Sequence, residues 1–216
     1  MMTNTIIGAV LGLLMKPLSC AAAVKLLKAR GKAYTESKTE SFFLAAVLAV
    51  YGGVTAYMVP LSAETVYLFL MAFIAATIAI TDIHHRIIPN ELVISIIVLT
   101  LIFGIPAELG VKGFPEFNVF MSLIGLAACF FIFMLPAFLH KNVGAGDVKL
   151  AAAMGFALGL SNSLLAIVLM GSLILASCFL QRSMPAMEYL KKQIPMGPFL
   201  SAAMAFVLIF TKAVPK

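Results

Sequence analysis

The sequence predicts an all-α fold, a polytopic membrane helix bundle of about eight transmembrane helices. Of the 216 residues, 62% are hydrophobic and only 11% are charged, and the mean hydropathy is +1.09. Water-soluble domains carry about a quarter charged residues, so this chain lacks the polar side chains to cover a soluble surface. Its apolar residues are gathered into stretches close to the roughly 20 residues that a helix needs to cross a bilayer.

Eight apolar stretches are candidate spans, separated by short polar or glycine-rich connections. The sixth is short and follows a glycine-rich turn, and two connections carry the Pro, Ser, Gly and Asn residues that favour tight turns. We expect a single domain over residues 1–216, in which two N-terminal helices (5–60) precede a six-helix core (65–213). The predicted spans are 5–27, 42–60, 65–82, 91–107, 119–139, 147–160, 162–180 and 198–213.

Basic residues lie mainly in the connections that follow the first, third, fifth and seventh spans. The positive-inside rule places these connections in the cytoplasm and both termini outside. Orientation therefore explains the net charge of +6, and we expect contact with membrane lipid and no nucleic-acid partner. The more basic set is Lys25, Lys28, Arg30, Lys32, Lys38, Arg86, Lys141, Arg182, Lys191 and Lys192, and the opposite side holds Lys112, Lys212 and Lys216.

The three cysteines show no pattern that is typical of a metal site or a disulfide framework. Cys20, Cys129 and Cys178 all lie inside apolar stretches, and no two of them form a CxxC pair. Buried cysteine behaves as a small apolar residue. We therefore predict that the three cysteines are packing residues and that no metal is bound.

The chain contains only two aspartates, and both lie at predicted membrane boundaries. Asp82 ends the third span and Asp147 opens the sixth, which places both at cytoplasmic helix ends. A carboxylate at such a boundary is costly unless it is paired or hydrated, so it predicts a functional site. Two neighbouring carboxylates do not both ionise easily: one holds a proton while the other draws a proton from water. Such a pair can hydrolyse an amide without a metal or a covalent intermediate.

Residues around Asp147 fit such a site. Gly144 and Gly146 lack a Cβ, so the backbone can turn sharply there and allow a substrate strand or partner helix to approach. Lys149 lies two residues beyond Asp147. We weigh two roles for Lys149 equally. Its positive charge favours the ionised form of Asp147, or its side chain extends towards the lipid headgroups.

Three motifs occur in order along the chain: Asp82 followed by Ile88-Pro89-Asn90, the run Gly-Ala-Gly-Asp-Val-Lys at 144–149, and Ile194–Leu200, which contains Pro195, Gly197 and Pro198. Together they resemble the type IV prepilin peptidase family, whose members are GxGD-type aspartic proteases. The similarity runs from about residue 65 to residue 210 of the sequence. GxGD alone is a weak signal, but three motifs at membrane-consistent positions are a strong one.

The resemblance implies a function and a location. Asp82 and Asp147 match the two catalytic aspartates of the family. The substrate would be a type IV prepilin or pseudopilin, cleaved at the cytoplasmic face after a glycine that ends a short basic leader. The location would be a prokaryotic cytoplasmic (inner) membrane.

This chain also departs from the longer family members. Those members carry a cytoplasmic domain between their first two helices, often with zinc-binding cysteines, and they methylate the new N-terminus with S-adenosylmethionine. Here the same stretch is only about Lys28–Ser41 and contains no cysteine. We therefore expect a short, peptidase-only form that needs neither zinc nor S-adenosylmethionine.

Three other functions remain open at the level of sequence. A proton-coupled transporter could relay protons through the two aspartates, although such groups usually lie near the bilayer midplane in repeated halves. A non-catalytic assembly protein of a pilus or secretion machine would tolerate Asp→Asn changes. A presenilin-type GxGD protease would carry a Tyr-Asp pair, whereas Thr81 precedes Asp82 here.

Overall fold

The computed structural model describes residues 2–138, 144–180 and 195–213, and within these ranges every regular element is an α-helix. Six helices have the length and composition to cross a membrane, and a seventh is apolar but shorter. This confirms the prediction of a multi-pass all-α bundle. The helices are α1 (Met2–Lys28), α2 (Lys38–Met58), α3 (Ala63–His85), α4 (Asn90–Glu108), α5 (Val119–Phe138), α6 (Ala145–Leu180) and α7 (Gly197–Ala213).

The predicted count of about eight helices is slightly too high. The described residues form seven helices because the predicted spans 147–160 and 162–180 belong to one element, α6. At Gly159 the backbone leaves the helical region, with φ 72° and ψ 177°. Only glycine adopts such a conformation readily. The turn therefore occupies one residue, where the sequence predicts a longer break.

The two arms of α6 fold back against α5. Gly155 and Ser163 lie four residues before and four residues after Gly159, and both contact Cys129 of α5. Eight residues of straight helix would span about 12 Å, too far for one side chain to touch both ends. The predicted sixth and seventh spans therefore exist as two arms of a single bent helix.

Each end of the bundle can be identified from its contacts. One end gathers the last turn of α3 and the first turns of α4, α6 and α7, where both aspartates lie; we call it the aspartate end. At the opposite end an open cavity of about 810 Å³ is lined by the α4–α5 connection, Gly159 and Thr211. The first arm of α6 therefore runs from the aspartate end to the opposite end.

Helices α3 and α6, which carry the two aspartates, do not pack directly on each other. Within the described residues no Cα atom of α3 lies within 8 Å of one in α6, whereas α4 and α7 each pack against both. Side chains of α3, α6 and α7 form much of the buried core. Many large apolar side chains on the outer surfaces are exposed, as expected for helices in lipid. Fully buried core residues are Leu68, Met71 and Ile78 of α3, Leu150 and Met154 of α6, and Leu200, Met204 and Leu208 of α7.

The two N-terminal helices cross at close range. A Cβ on Gly8 or Gly12 of α1 would strike the backbone of α2 at Gly52 and Leu48, respectively. Small residues four apart allow membrane helices to approach in this way. Helix α1 also packs against α3, so the pair is joined to the helix that carries Asp82.

Candidate active site

Asp82 lies in the last turn of α3 and is 4% exposed. Its Oδ2 atom accepts a hydrogen bond of 2.9 Å from the backbone N–H of Gly197, at the start of α7. Its carbonyl oxygen accepts a 2.8 Å bond from the N–H of Arg86, which ends the helix in a left-handed conformation with φ 52°. Asp82 is therefore held both by its own helix end and by the beginning of α7.

Asp147 is the third residue of α6 and is half-buried. It lies close enough to Asp82 for the two carboxylates to interact electrostatically. Its Oδ1 atom is buried and has no hydrogen-bond partner among the described residues. Buried polar atoms are nearly always paired, and an unpaired carboxylate oxygen beside a second carboxylate is a feature of functional sites.

The two motif glycines bring the start of α6 close to its neighbours. The carbonyl of Gly144 accepts bonds of 3.0 and 3.3 Å from the N–H groups of Asp147 and Val148. A Cβ on Gly144 would lie 2.7 Å from Asp147 Oδ2, and one on Gly146 would lie 3.1 Å from the Cβ of Ile88. The glycines therefore allow the α3–α4 connection and the Asp147 carboxylate to approach the backbone.

The remaining predicted residues lie at the same end of the bundle. Pro89 is buried and precedes α4, and its carbonyl accepts a 3.1 Å bond from the N–H of Leu92. Lys149 donates a 3.2 Å hydrogen bond from Nζ to Oδ1 of Asn90 at the start of α4. Neither interpretation of Lys149 included this contact, which ties the first turn of α6 to α4.

The third motif forms the beginning of α7. Pro195 precedes the helix, Gly197 is its first residue, and Pro198 lies in its first turn. Proline is favoured in the first helical turn because its missing N–H is not needed there. All nine predicted site residues therefore meet at the aspartate end; the catalytic role of the two aspartates stays a prediction.

The α1–α2 connection (29–37) lies over this end, and the contacts that hold it there were not predicted. Arg30 Nη2 donates to Glu91 Oε2 at 2.6 Å, which joins the connection to α4. His85 Nε2 lies 2.7 Å from the carbonyl of Ala33, only one turn beyond Asp82. The positive charge of Arg30 was interpreted as a signal of orientation and of contact with lipid, because sequence alone does not pair residues 61 positions apart.

A second ion pair holds the same connection against α1. Glu36 Oε1 lies 2.8 Å from Lys16 Nζ. Burial alone would raise the pKa of Glu36, but hydrogen bonds from Lys16 and Ser41 and the lysine charge outweigh it and hold the pKa below its usual value. Glu36 is therefore ionised at neutral pH, and the ion pair persists there.

Exchanging the charges of Arg30 and Glu91 tests whether the α1–α2 connection supports the site. We expect Arg30→Glu to lower the stability of the bundle by about 1 kcal/mol or less, because both side chains are partly exposed. Adding Glu91→Arg to that variant should restore most of the loss. Thermal unfolding in lipid measures the loss and its recovery; a double variant no more stable than the single one would contradict the role of this pair.

Among the described ranges, no three His, Cys, Asp or Glu side chains gather in an arrangement that could hold a metal ion. The residues of 139–143 and 181–194 lie outside those ranges, and with them Lys141, Arg182, Lys191 and Lys192 of the orientation argument. The prediction that neither zinc nor S-adenosylmethionine is required therefore stays a prediction.

Comparison with known proteins gives a family match and a curated relative. The model of the type IV leader peptidase family matches residues 67–180, a region that contains both aspartates. A prepilin leader peptidase/N-methyltransferase of Bacillus subtilis (strain 168) is 29% identical over 136 residues, which are 62% of this chain and 51% of that protein. The chain thus spans about half the length of this curated relative. No solved structure matches the chain.

Proposed function

Because the chain belongs to the type IV leader peptidase family, we propose that it is a membrane-embedded aspartic endopeptidase that removes the short basic leader of type IV prepilins or pseudopilins. One observation carries the aspartic mechanism. Asp82 and Asp147, the only aspartates of the chain, lie at one end of the bundle, close enough to interact. A proton-coupled transporter is less well supported, because its ionisable groups usually lie near the bilayer midplane.

The space between α3 and α6 is where the substrate would bind. Helices α4 and α7 hold α3 and α6 apart, with no Cα–Cα approach within 8 Å in the described residues. Asp82 and Asp147 come from the ends of two different helices, so a peptide bond and a water molecule bound between them would meet both carboxyl groups.

In the proposed reaction, one ionised carboxylate takes a proton from water as the oxygen attacks the scissile carbonyl carbon. The other carboxyl group, protonated at the start, donates its proton to the carbonyl oxygen. The tetrahedral intermediate then collapses: its C–N bond breaks, the leaving nitrogen receives the proton taken from water, and one hydroxyl proton of the intermediate returns to the carboxylate that had donated its own. The products are a free carboxyl group on the leader and a free amine on the mature pilin.

The distribution of basic residues and the resemblance to the family support one location for the reaction. The uneven distribution of Lys and Arg supports a cytoplasmic position for the aspartate end, with both termini outside. A basic substrate leader would then be cut before it could cross the membrane. We propose a prokaryotic cytoplasmic membrane as the location.

We propose that this protein cleaves without methylating its product. The α1–α2 connection runs only from residue 29 to residue 37, where the longer family members carry an additional domain. Those nine positions also contain no cysteine. A short form of this kind would need neither zinc nor S-adenosylmethionine.

Cleavage of a prepilin-like peptide by the purified protein in liposomes tests the proposal. Mass spectrometry would read the cut site and any added methyl group, with S-adenosylmethionine supplied in a parallel reaction. We expect one cut after the glycine that ends the basic leader, and an unmethylated product in both reactions. An uncut peptide would contradict the peptidase function, and a methylated product would contradict only the peptidase-only form.

A further inference from the structure

We propose that the backbone N–H of Gly197 is a positioning group for the catalytic carboxylate of Asp82. It holds one oxygen and leaves the other to take the proton from water, so the two aspartates have separate, fixed roles. This inference rests on the proposed peptidase function, and it assigns a role to the third of the three motifs, which lies beyond residues 67–180 that the family model matches. It would make α7 part of the catalytic machinery.

The hydrogen bond itself is the first support. Gly197 N lies 2.9 Å from Asp82 Oδ2, in a buried position and across 115 residues of chain. The first N–H groups of a helix have no partner within the helix, so they are available to an external acceptor. The start of a helix also carries partial positive charge, which favours an anion there. The first turn of α7 therefore supplies both a donor and a favourable field to Asp82.

The second support is that Gly197 has no side chain. A Cβ on Gly197 would lie 2.8, 2.9 and 3.0 Å from Oδ2, Cγ and Cβ of Asp82. These distances are too short for any other residue unless the carboxylate moves. Pro198 has no N–H, so it cannot offer a competing donor. The Gly-Pro pair thus presents a single N–H to the carboxylate.

The environments of the two aspartates differ as a consequence. Asp82 has one oxygen held by a backbone donor, whereas Asp147 Oδ1 is buried with no hydrogen-bond partner among the described residues. A donor to a carboxylate stabilises its ionised form. Asp82 is therefore the member of the pair that acts as base, and Asp147 is the member that donates its proton to the substrate carbonyl.

Replacing the amide of Gly197 by an ester tests this role without adding an atom to the side chain. The full-length protein would be made by cell-free synthesis into liposomes with glycolic acid at position 197. We expect kcat to fall about 10- to 100-fold, the size expected for a hydrogen bond to a charged group, while KM changes less than about twofold. The matched control is the same amide-to-ester change at Phe199, in the same helical turn, for which we expect a loss below about threefold.

Three results would overturn the proposal: an unchanged kcat at position 197, an equal loss at positions 197 and 199, or a rise in KM alone. If Asp82→Asn is inactive while the separate ester variant at position 197 is fully active, this inference is wrong and the proposed function stands. An active Asp82→Asn variant would remove the proposed function itself.

A second measurement does not depend on the ester variant folding. With glycine labelled by ¹⁵N, the amide proton of Gly197 should resonate downfield, as expected for a bond to a carboxylate. In Asp82→Ala, which removes the acceptor, the resonance should move upfield. A resonance that stays in place would show that the hydrogen bond is not formed in solution and would overturn the proposal.

Discussion

Replacing either aspartate by asparagine should lower kcat for prepilin cleavage by about 10²- to 10⁴-fold, the range that general acid–base groups supply. Asparagine has the size of aspartate and keeps an oxygen that can accept the Gly197 N–H. It cannot, however, take or give the proton. The fold and KM should therefore remain close to those of the native protein, and steady-state kinetics in liposomes with a thermal-unfolding check separates the effects.

The matched control for these variants is a carboxylate at the other end of the bundle. Glu108 ends α4, and its Oε2 accepts a 3.2 Å hydrogen bond from the N–H of Val119. We expect Glu108→Gln to cleave at the native rate. Native rates of cleavage in Asp82→Asn or Asp147→Asn would contradict the aspartic mechanism.

The second large effect is expected at the contact between α5 and α6. A Cβ on Gly155 would strike the carbonyl of Gly125, and a Cβ on Gly125 would strike the backbone of α6. Backbone atoms cannot step aside as the end of a side chain can, so Gly155→Ala must separate the two helices. We expect a loss of about 3 kcal/mol, the upper part of the range for overpacking, which thermal unfolding in lipid would measure.

Gly171 in the same helix offers a matched control for Gly155→Ala. Nothing lies within 4 Å of a Cβ built on Gly171. Alanine is favoured over glycine in a helix by about 1 kcal/mol, so Gly171→Ala should be neutral or stabilising. Equal losses at positions 155 and 171 would show that close packing is not the cause.

Most of the helical layout could be predicted from the sequence, because the bilayer dictates both the length and the polarity of each span. The predicted span 91–107 became Asn90–Glu108, and 119–139 became Val119–Phe138. The turn at Gly159 was predicted as a break, but not as a single residue. Its conformation depends on how the two arms of α6 pack against α5, and a hydropathy pattern carries no information about that packing.

The content of the candidate site was also predicted, whereas its internal contacts were not. Charge bias and motif order placed Asp82 and Asp147 together. The bond from Gly197 to Asp82 and the ion pair of Arg30 with Glu91 join residues 115 and 61 positions apart. No local pattern encodes such pairs. Gly8 and Gly12 did carry a readable signal, since small residues four apart mark close helix contacts.

The most direct test of the central claim is the rate of the Asp82→Asn/Asp147→Asn double variant beside those of the two single variants. Residues that act as one unit give strongly non-additive losses. If the aspartates form one catalytic pair, the double variant should cleave no more slowly than the slower single variant. If they act independently, its loss should equal the product of the two single losses, and that result would contradict the account.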